Sequence, residues 1–186
     1  MSVKNLFHAF HDYLSMRSGE PVDAFLQDAD WNVTERSATP NVGVELNLLN
    51  AAQTHCGSGE RYLVKTLIEC APSLVWHKRQ IAEKQVSFVE IIGPRGHFPS
   101  SSIAGGIMFL DAGAQLEDYY FSAEELLIPL NEGAEFSMDS KAFSAQKSGT
   151  ILFHESNERR AIKTNDTPLL VAYVLRDGDL QEQAQT

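Results

Sequence analysis

The chain has 186 residues, of which 43% are hydrophobic and 22% charged, enough to bury one sizeable core and too few to promise two. Fifteen Lys and Arg against 25 Asp and Glu leave a formal charge of −10, a field that repels phosphate backbones and anionic lipid, so nucleic acid and membranes are not expected partners. Its two cysteines, Cys56 and Cys70, lack CxxC spacing and read as reduced thiols, which points to the cytoplasm.

The amino terminus MSVKNLFHAFHDYLSMR mixes Lys, His, Asp and Arg among its apolar positions, unlike the unbroken apolar stretch of a signal peptide. Apolar residues recur there at helical intervals: Leu6, Phe10, Tyr13 and Leu14, then Val22, Phe25 and Leu26. Further helices are predicted across Glu45–Ala52 and across Leu63, Val64, Leu67 and Ile68. Breaks are expected at Ser18-Gly19-Glu20-Pro21, at Thr39-Pro40-Asn41 and at Gly57-Ser58-Gly59, with Ser58 as cap of the last helix and Pro72 as its stop. The stretch from Asp28 to Glu35, which holds Trp31, reads as a loop.

From about residue 86 the period changes. Short β-prone runs follow at Ser87–Ile92, Ile103–Leu110, Tyr119–Phe121, Leu126–Leu130, Ala134–Met138, Thr150–Phe153 and Leu169–Leu175, separated by Gly, Asp and Asn. Such spacing predicts an antiparallel sandwich or barrel, and the lack of intervening helical stretches argues against βαβ units. The expected organisation is a helical region over residues 1–74, a β-barrel over 75–180 and a flexible polar tail over 181–186. A homodimer is expected because the helices carry more apolar surface than one barrel face covers.

Several motifs occur in a particular order: Val89-Glu90-Ile91-Ile92-Gly93-Pro94-Arg95-Gly96, Ala104-Gly105-Gly106-Ile107-Met108-Phe109-Leu110, Ser122-Ala123-Glu124-Glu125-Leu126, His154-Glu155-Ser156, Arg160-Ala161-Ile162-Lys163-Thr164, Pro168 to Tyr173, and Asp177-Gly178-Asp179-Leu180. In order and spacing they resemble the dimethylsulfoniopropionate (DMSP) lyase-like cupins. The resemblance implies a mainly β fold with α, in which a helical amino-terminal region packs on a single cupin barrel, a double-stranded β-helix. The activity it implies is a carbon–sulfur lyase that removes the α-proton of a β-sulfonio carboxylate, expels dimethyl sulfide and leaves acrylate. It also implies a divalent metal such as Zn, Fe, Mn or Ni, held by two His, a Glu and a distal His, with a tyrosine as base.

Carried over position by position, the first His falls on Tyr119, the second on Phe121, the Glu on Glu125, the tyrosine on Leu127 and the distal His on Arg160. Only Glu125 keeps its type. Phe121 has no lone pair, and a guanidinium stays protonated and repels a cation, so no metal cofactor is expected. If there is a metal, Tyr119, Glu125 and His154 would have to hold it. The stretch between Glu125 and Gly133 is one residue longer than usual, which a β-bulge would absorb.

A buried guanidinium demands a carboxylate and a buried carboxylate demands a donor, so Glu125 and Arg160 are read either as an internal clasp or as a site where Arg160 holds a ligand carboxylate. Tyr119 is the expected inward member of Tyr119-Tyr120, and would act as a base only if Arg160 lowered its pKa. Tyr119 and Arg160 are thus the candidate catalytic residues, and Tyr119, Phe121, Glu125, Arg160, Tyr173 and Trp76 the candidate ligand-binding ones. Trp76 and Tyr173 are weighed as cation–π partners against plain core packing. His8 and His11 lie three apart on the first helix and read as surface or interhelical residues rather than a ligand pair, His55, His77 and His97 have no partner at ligand spacing, and no GxSxG elbow exists. The expected protein is a divergent or inactive lyase-like cupin that binds a small carboxylate or zwitterionic ligand. The alternatives are an active lyase with a reorganised site and a structural or interaction cupin with a self-filled barrel.

Overall fold

The computed structural model describes every residue except Ser18, Asp28, Val42, Ala82, Glu83, Gln183 and Thr186, so parts of the expected Ser18 turn, Asp28 loop and tail lie outside the described residues. Four helices come first: α1 (Val3–Ser15), α2 (Val22–Gln27), α3 (Leu46–Gln53) and α4 (Arg61–Cys70). In α1 the Ser2 hydroxyl accepts from the Asn5 amide while the Asn5 side chain reaches back to Ser2, a capping box that satisfies otherwise orphaned donors. Ser58 does not cap α4. Glu60 occupies that position without a side-chain capping bond, and a 3-10 turn over Ala71–Ser73 carries Pro72. No described helix is long and apolar enough to cross a membrane.

Ten strands follow: β1 (Trp76–Ile81), β2 (Lys84–Ile92), β3 (Ile103–Leu110), β4 (Gln115–Tyr119), β5 (Glu124–Pro129), β6 (Ala134–Met138), β7 (Ser144–Ala145), β8 (Leu152–His154), β9 (Arg160–Thr164) and β10 (Leu169–Arg176). They form an antiparallel sheet ordered β1-β2-β3-β10-β5-β8 and a second ordered β4-β9-β6-β7. This is the double-stranded β-helix arrangement, with two facing sheets that are not closed by strand pairing between them among the described residues. The first strand begins eleven residues before the first expected one, because β1 carries His, Lys, Arg and Gln among its six residues and so lacks a β-prone signature. Strand β9, with Arg160 and Lys163, went unrecognised for the same reason. The expected Tyr119–Phe121 strand instead ends at Tyr119.

Strand alternation sorts the side chains into two cores. Trp76, Val89, Ile91, Ile107, Phe109, Leu126, Ile128, Leu170, Ala172 and Val174 point out of the six-stranded sheet and pack against the helices. Val86, Phe88, Met108, Leu127, Val171, Tyr173 and Leu175 point inward and meet Leu116, Tyr119, Phe136 and Ile162 of the other sheet. The helices therefore spend their apolar faces on the barrel, leaving Met1, Met16, Leu46 and Tyr62 as their exposed large hydrophobics, which removes the surface argument for a dimer.

The bulge expected between Glu125 and Gly133 does not occur in β5, which pairs β10 without a break from Val171–Pro129 to Arg176–Glu124. A turn over residues 130–133 follows the strand. There the buried Asn131 side chain accepts from the Leu170 amide at 2.8 Å and donates to the Pro168 carbonyl at 2.9 Å, and Gly133 takes φ 102°. The described tail residues are tied down, since Gln185 exchanges two backbone hydrogen bonds with Tyr120 and Glu182 accepts from the Ser122 amide and hydroxyl. The expectation of a flexible tail missed this, because a polar composition says nothing of a partner strand.

Candidate functional site

Register places four of the expected residues side by side. Tyr119 faces Arg160 across the β4–β9 pair, and Glu125 faces His154 across the β5–β8 pair. The two pairs belong to opposite sheets, and the Arg160 guanidinium crosses the interior to bring its Nε within 2.6 Å of Glu125 Oε2. Both side chains are almost wholly buried, at 1% and 4% exposure. The approach is charge to charge without good hydrogen-bond alignment, while Arg160 Nη1 donates to the Glu158 carbonyl at 2.8 Å. The same guanidinium lies over the rings of Tyr119 and Phe121, at 5.3 and 5.1 Å from their centres.

Burial dominates the titration of these groups. It raises the Glu125 carboxyl, against the pull of Arg160 and Arg79. It pushes His154 down to about 3, with Arg160 adding to the effect, so the imidazole is neutral. It raises the Tyr119 hydroxyl, helped by Glu125 and only partly countered by Arg160 and Arg79. The condition for Tyr119 to act as a base is therefore not met, because losing solvent costs a phenolate more than one paired guanidinium returns.

The donor set does not suit a divalent metal. One imidazole, one carboxylate and a neutral phenol converge here, the carboxylate is engaged by a fixed positive charge, and among the described residues no group of three or more His, Cys, Asp or Glu is arranged to hold a metal ion.

Trp76 is not part of this interior. In β1 the residues His77, Arg79 and Ile81 alternate with Trp76, whose ring lies in the core beneath the helices, against Gly43. The residue that sequence reasoning missed is its neighbour on the opposite face, Arg79. Its guanidinium carbon lies 5.0 Å from the Phe88 ring centre and 4.9 Å from that of Phe121. A signal existed in the two-residue spacing of Arg79 and Ile81, but the strand itself had gone unrecognised. Glu90 and Arg95 are likewise new. Glu90 is buried and accepts from the Arg95 amide at 2.6 Å, with the Arg95 Nε at 3.3 Å.

Arg79, Phe88, Met108, Tyr119, Phe121, Glu125 and Tyr173 line a void of about 10 Å³, room for one water. The Tyr173 hydroxyl and both His154 ring nitrogens are buried without hydrogen-bond partners.

Two facing antiparallel sheets around a polar interior, with helices packed on one outer face, define a cupin. A sequence model of the dimethylsulfoniopropionate lyase family matches residues 20–171, and the chain belongs to that family. Over 91 residues it is 34% identical to dimethylsulfoniopropionate lyase DddQ of Ruegeria pomeroyi, a match covering 49% of this chain and about half, 45%, of that relative. Among solved structures it resembles a chain from the DMSP lyases RdDddP and RnDddQII, with a TM-score of 0.79 and 22% identity over 99% of this chain and 96% of the other. It also resembles crystalline DddQ from Ruegeria pomeroyi, with a TM-score of 0.74 and 22% identity over 95% of both chains. These structural likenesses establish the shared fold.

Proposed function

We propose that this chain is a divergent member of the DMSP lyase family in which an internal ion pair stands where relatives are expected to carry a metal, and whose barrel binds a small carboxylate or zwitterionic ligand without carbon–sulfur cleavage. The observation that carries this reading is the Glu125–Arg160 contact of 2.6 Å. The one carboxylate retained from the family's motif is engaged by a side chain that cannot give up its proton, and the neutral imidazole paired opposite it is that of His154. Arg160 is therefore a clasp rather than a free carboxylate receptor, and Tyr119, held neutral, is a wall of the site. Residues 75–180 form the ligand-binding barrel and residues 1–74 the helical layer supporting it.

A second reading, a barrel closed by its own side chains and serving only as a scaffold, is favoured by the water-sized void.

Metal analysis of the protein purified without added metal, beside an acrylate-release assay on dimethylsulfoniopropionate, tests the proposal. Metal well below one equivalent, no acrylate, and binding of propionate or dimethylsulfoniopropionate by calorimetry support it. A full equivalent of a transition metal that is lost on Glu125→Ala, together with acrylate release, would refute it. Failure to bind either compound would favour the scaffold.

A further inference from the structure

The barrel interior does not balance its charge. Among the described residues three guanidiniums, Arg79, Arg95 and Arg160, face it, against two carboxylates, Glu90 and Glu125. Arg95 engages Glu90 and Arg160 engages Glu125, while His154, Tyr119 and Tyr173 are neutral. One positive charge is left over, on Arg79, which is 93% buried and has no carboxylate within 4 Å among the described residues. A guanidinium cannot shed its proton, so a largely buried charge in this position favours an anion beside it.

The immediate surroundings of Arg79 are incomplete in the same sense. Phe88 and Phe121 stack near its faces, which steadies the cation but offers no acceptor to the in-plane N–H groups. Its Nε is buried without a hydrogen-bond partner, and so is the hydroxyl of Tyr173, which lines the same void. Two orphaned donors and an unpaired positive charge converging on one small cavity are what a carboxylate would complete.

We infer that Arg79 and Tyr173 form the anchor for a small monocarboxylate anion, the guanidinium edge and the phenolic O–H both donating to the ligand's oxygens. This rests on the reading that the barrel binds a carboxylate, and names the residues and the charge class. The void as it stands holds one water, so a carboxylate seats there only as the flexible Met108 side chain swings aside, which limits the ligand to acetate or propionate size. Its tail enters past Met108, a flexible side chain that, with Arg79, is the most exposed of the residues lining the void. The surplus positive charge disfavours a sulfonium or ammonium head, so a plain carboxylate binds better than a β-sulfonio carboxylate.

Calorimetric titration of the full chain with sodium propionate and with dimethylsulfoniopropionate, on wild type, Arg79→Met, Tyr173→Phe and Arg160→Met, tests the inference. Expected are propionate binding by wild type, a loss of about tenfold or more in Arg79→Met and a smaller loss in Tyr173→Phe. Dimethylsulfoniopropionate should bind more weakly than propionate. Arg79→Met should melt no lower than wild type, because it removes an uncompensated charge. If it fails to fold, Tyr173→Phe carries the test alone, since it deletes only one unpartnered oxygen. Undiminished propionate binding in Arg79→Met or Tyr173→Phe, or loss confined to Arg160→Met, overturns the anchor and leaves the proposed function standing. Absence of binding by wild type overturns both.

Discussion

The Glu125–Arg160 clasp can be measured as a coupling energy. Each partner is nearly fully buried, and the pair joins β5 of one sheet to β9 of the other, so breaking it leaves a charge with no route to solvent. Removing one partner of such a pair costs about 3–5 kcal/mol, whereas replacing both with apolar groups of similar volume is close to neutral. The two single variants should differ. Arg160→Met leaves Glu125, whose pKa burial already raises, and which can escape by taking a proton. Glu125→Gln leaves Arg160, which cannot, with only the Glu158 carbonyl and the flanking rings for company. Glu125→Gln should therefore be the more damaging at pH 7.

The sign of the pH dependence follows. An acid whose folded pKa is raised adds stability below its unfolded pKa of about 4.3 and loses it as pH rises through the folded value. Arg160→Met should then be more stable at pH 5 than at pH 8, and Glu125→Gln should not share that slope. Urea unfolding of wild type, both single variants and the Glu125→Leu/Arg160→Met double variant gives the cycle, and a loss of 3–5 kcal/mol would appear thermally as a fall of roughly 6–20 °C in a chain of this size. Additive single effects of less than about 1 kcal/mol would refute the clasp.

Two further expectations concern the same barrel. His154 is held neutral with a folded pKa of about 3, so it takes up a proton on unfolding below its ordinary value of 6.5, and stability should fall as pH drops through that window. By pH 5 the loss is about 2 kcal/mol, and His154→Leu should flatten the acid limb of a melting-temperature profile; an unchanged limb would mean that the imidazole is not sequestered. Gly106 tests the register of β2 on β3, since a Cβ there would lie 1.9 Å from the Val89 carbonyl oxygen beside the irregularity between Glu90 and Ile92. Gly106→Ala should cost about 2 kcal/mol or more in urea unfolding, and a neutral result would mean that the strands are not so closely opposed.

The change of hydrophobic period was local information, and the sequence carried it: Leu6 to Leu14 mark α1 and Leu169 to Leu175 mark β10 without any knowledge of their partners. The residue types at Tyr119, Phe121 and Arg160, where the resemblance leads one to expect histidine ligands, were equally legible, because the chemistry of a donor atom belongs to the residue. Tertiary structure decided where charges meet. Strand β1 has no apolar signature of its own and exists because β2 offers it a ladder, and that pairing turns Trp76 outward to the helices and Arg79 inward to Phe88 and Phe121. The excess of one guanidinium over carboxylates among the described interior residues is likewise a property of the fold, invisible in a chain whose net charge is −10. Most of those acidic residues face water, and only the fold determines which few charges are taken out of it.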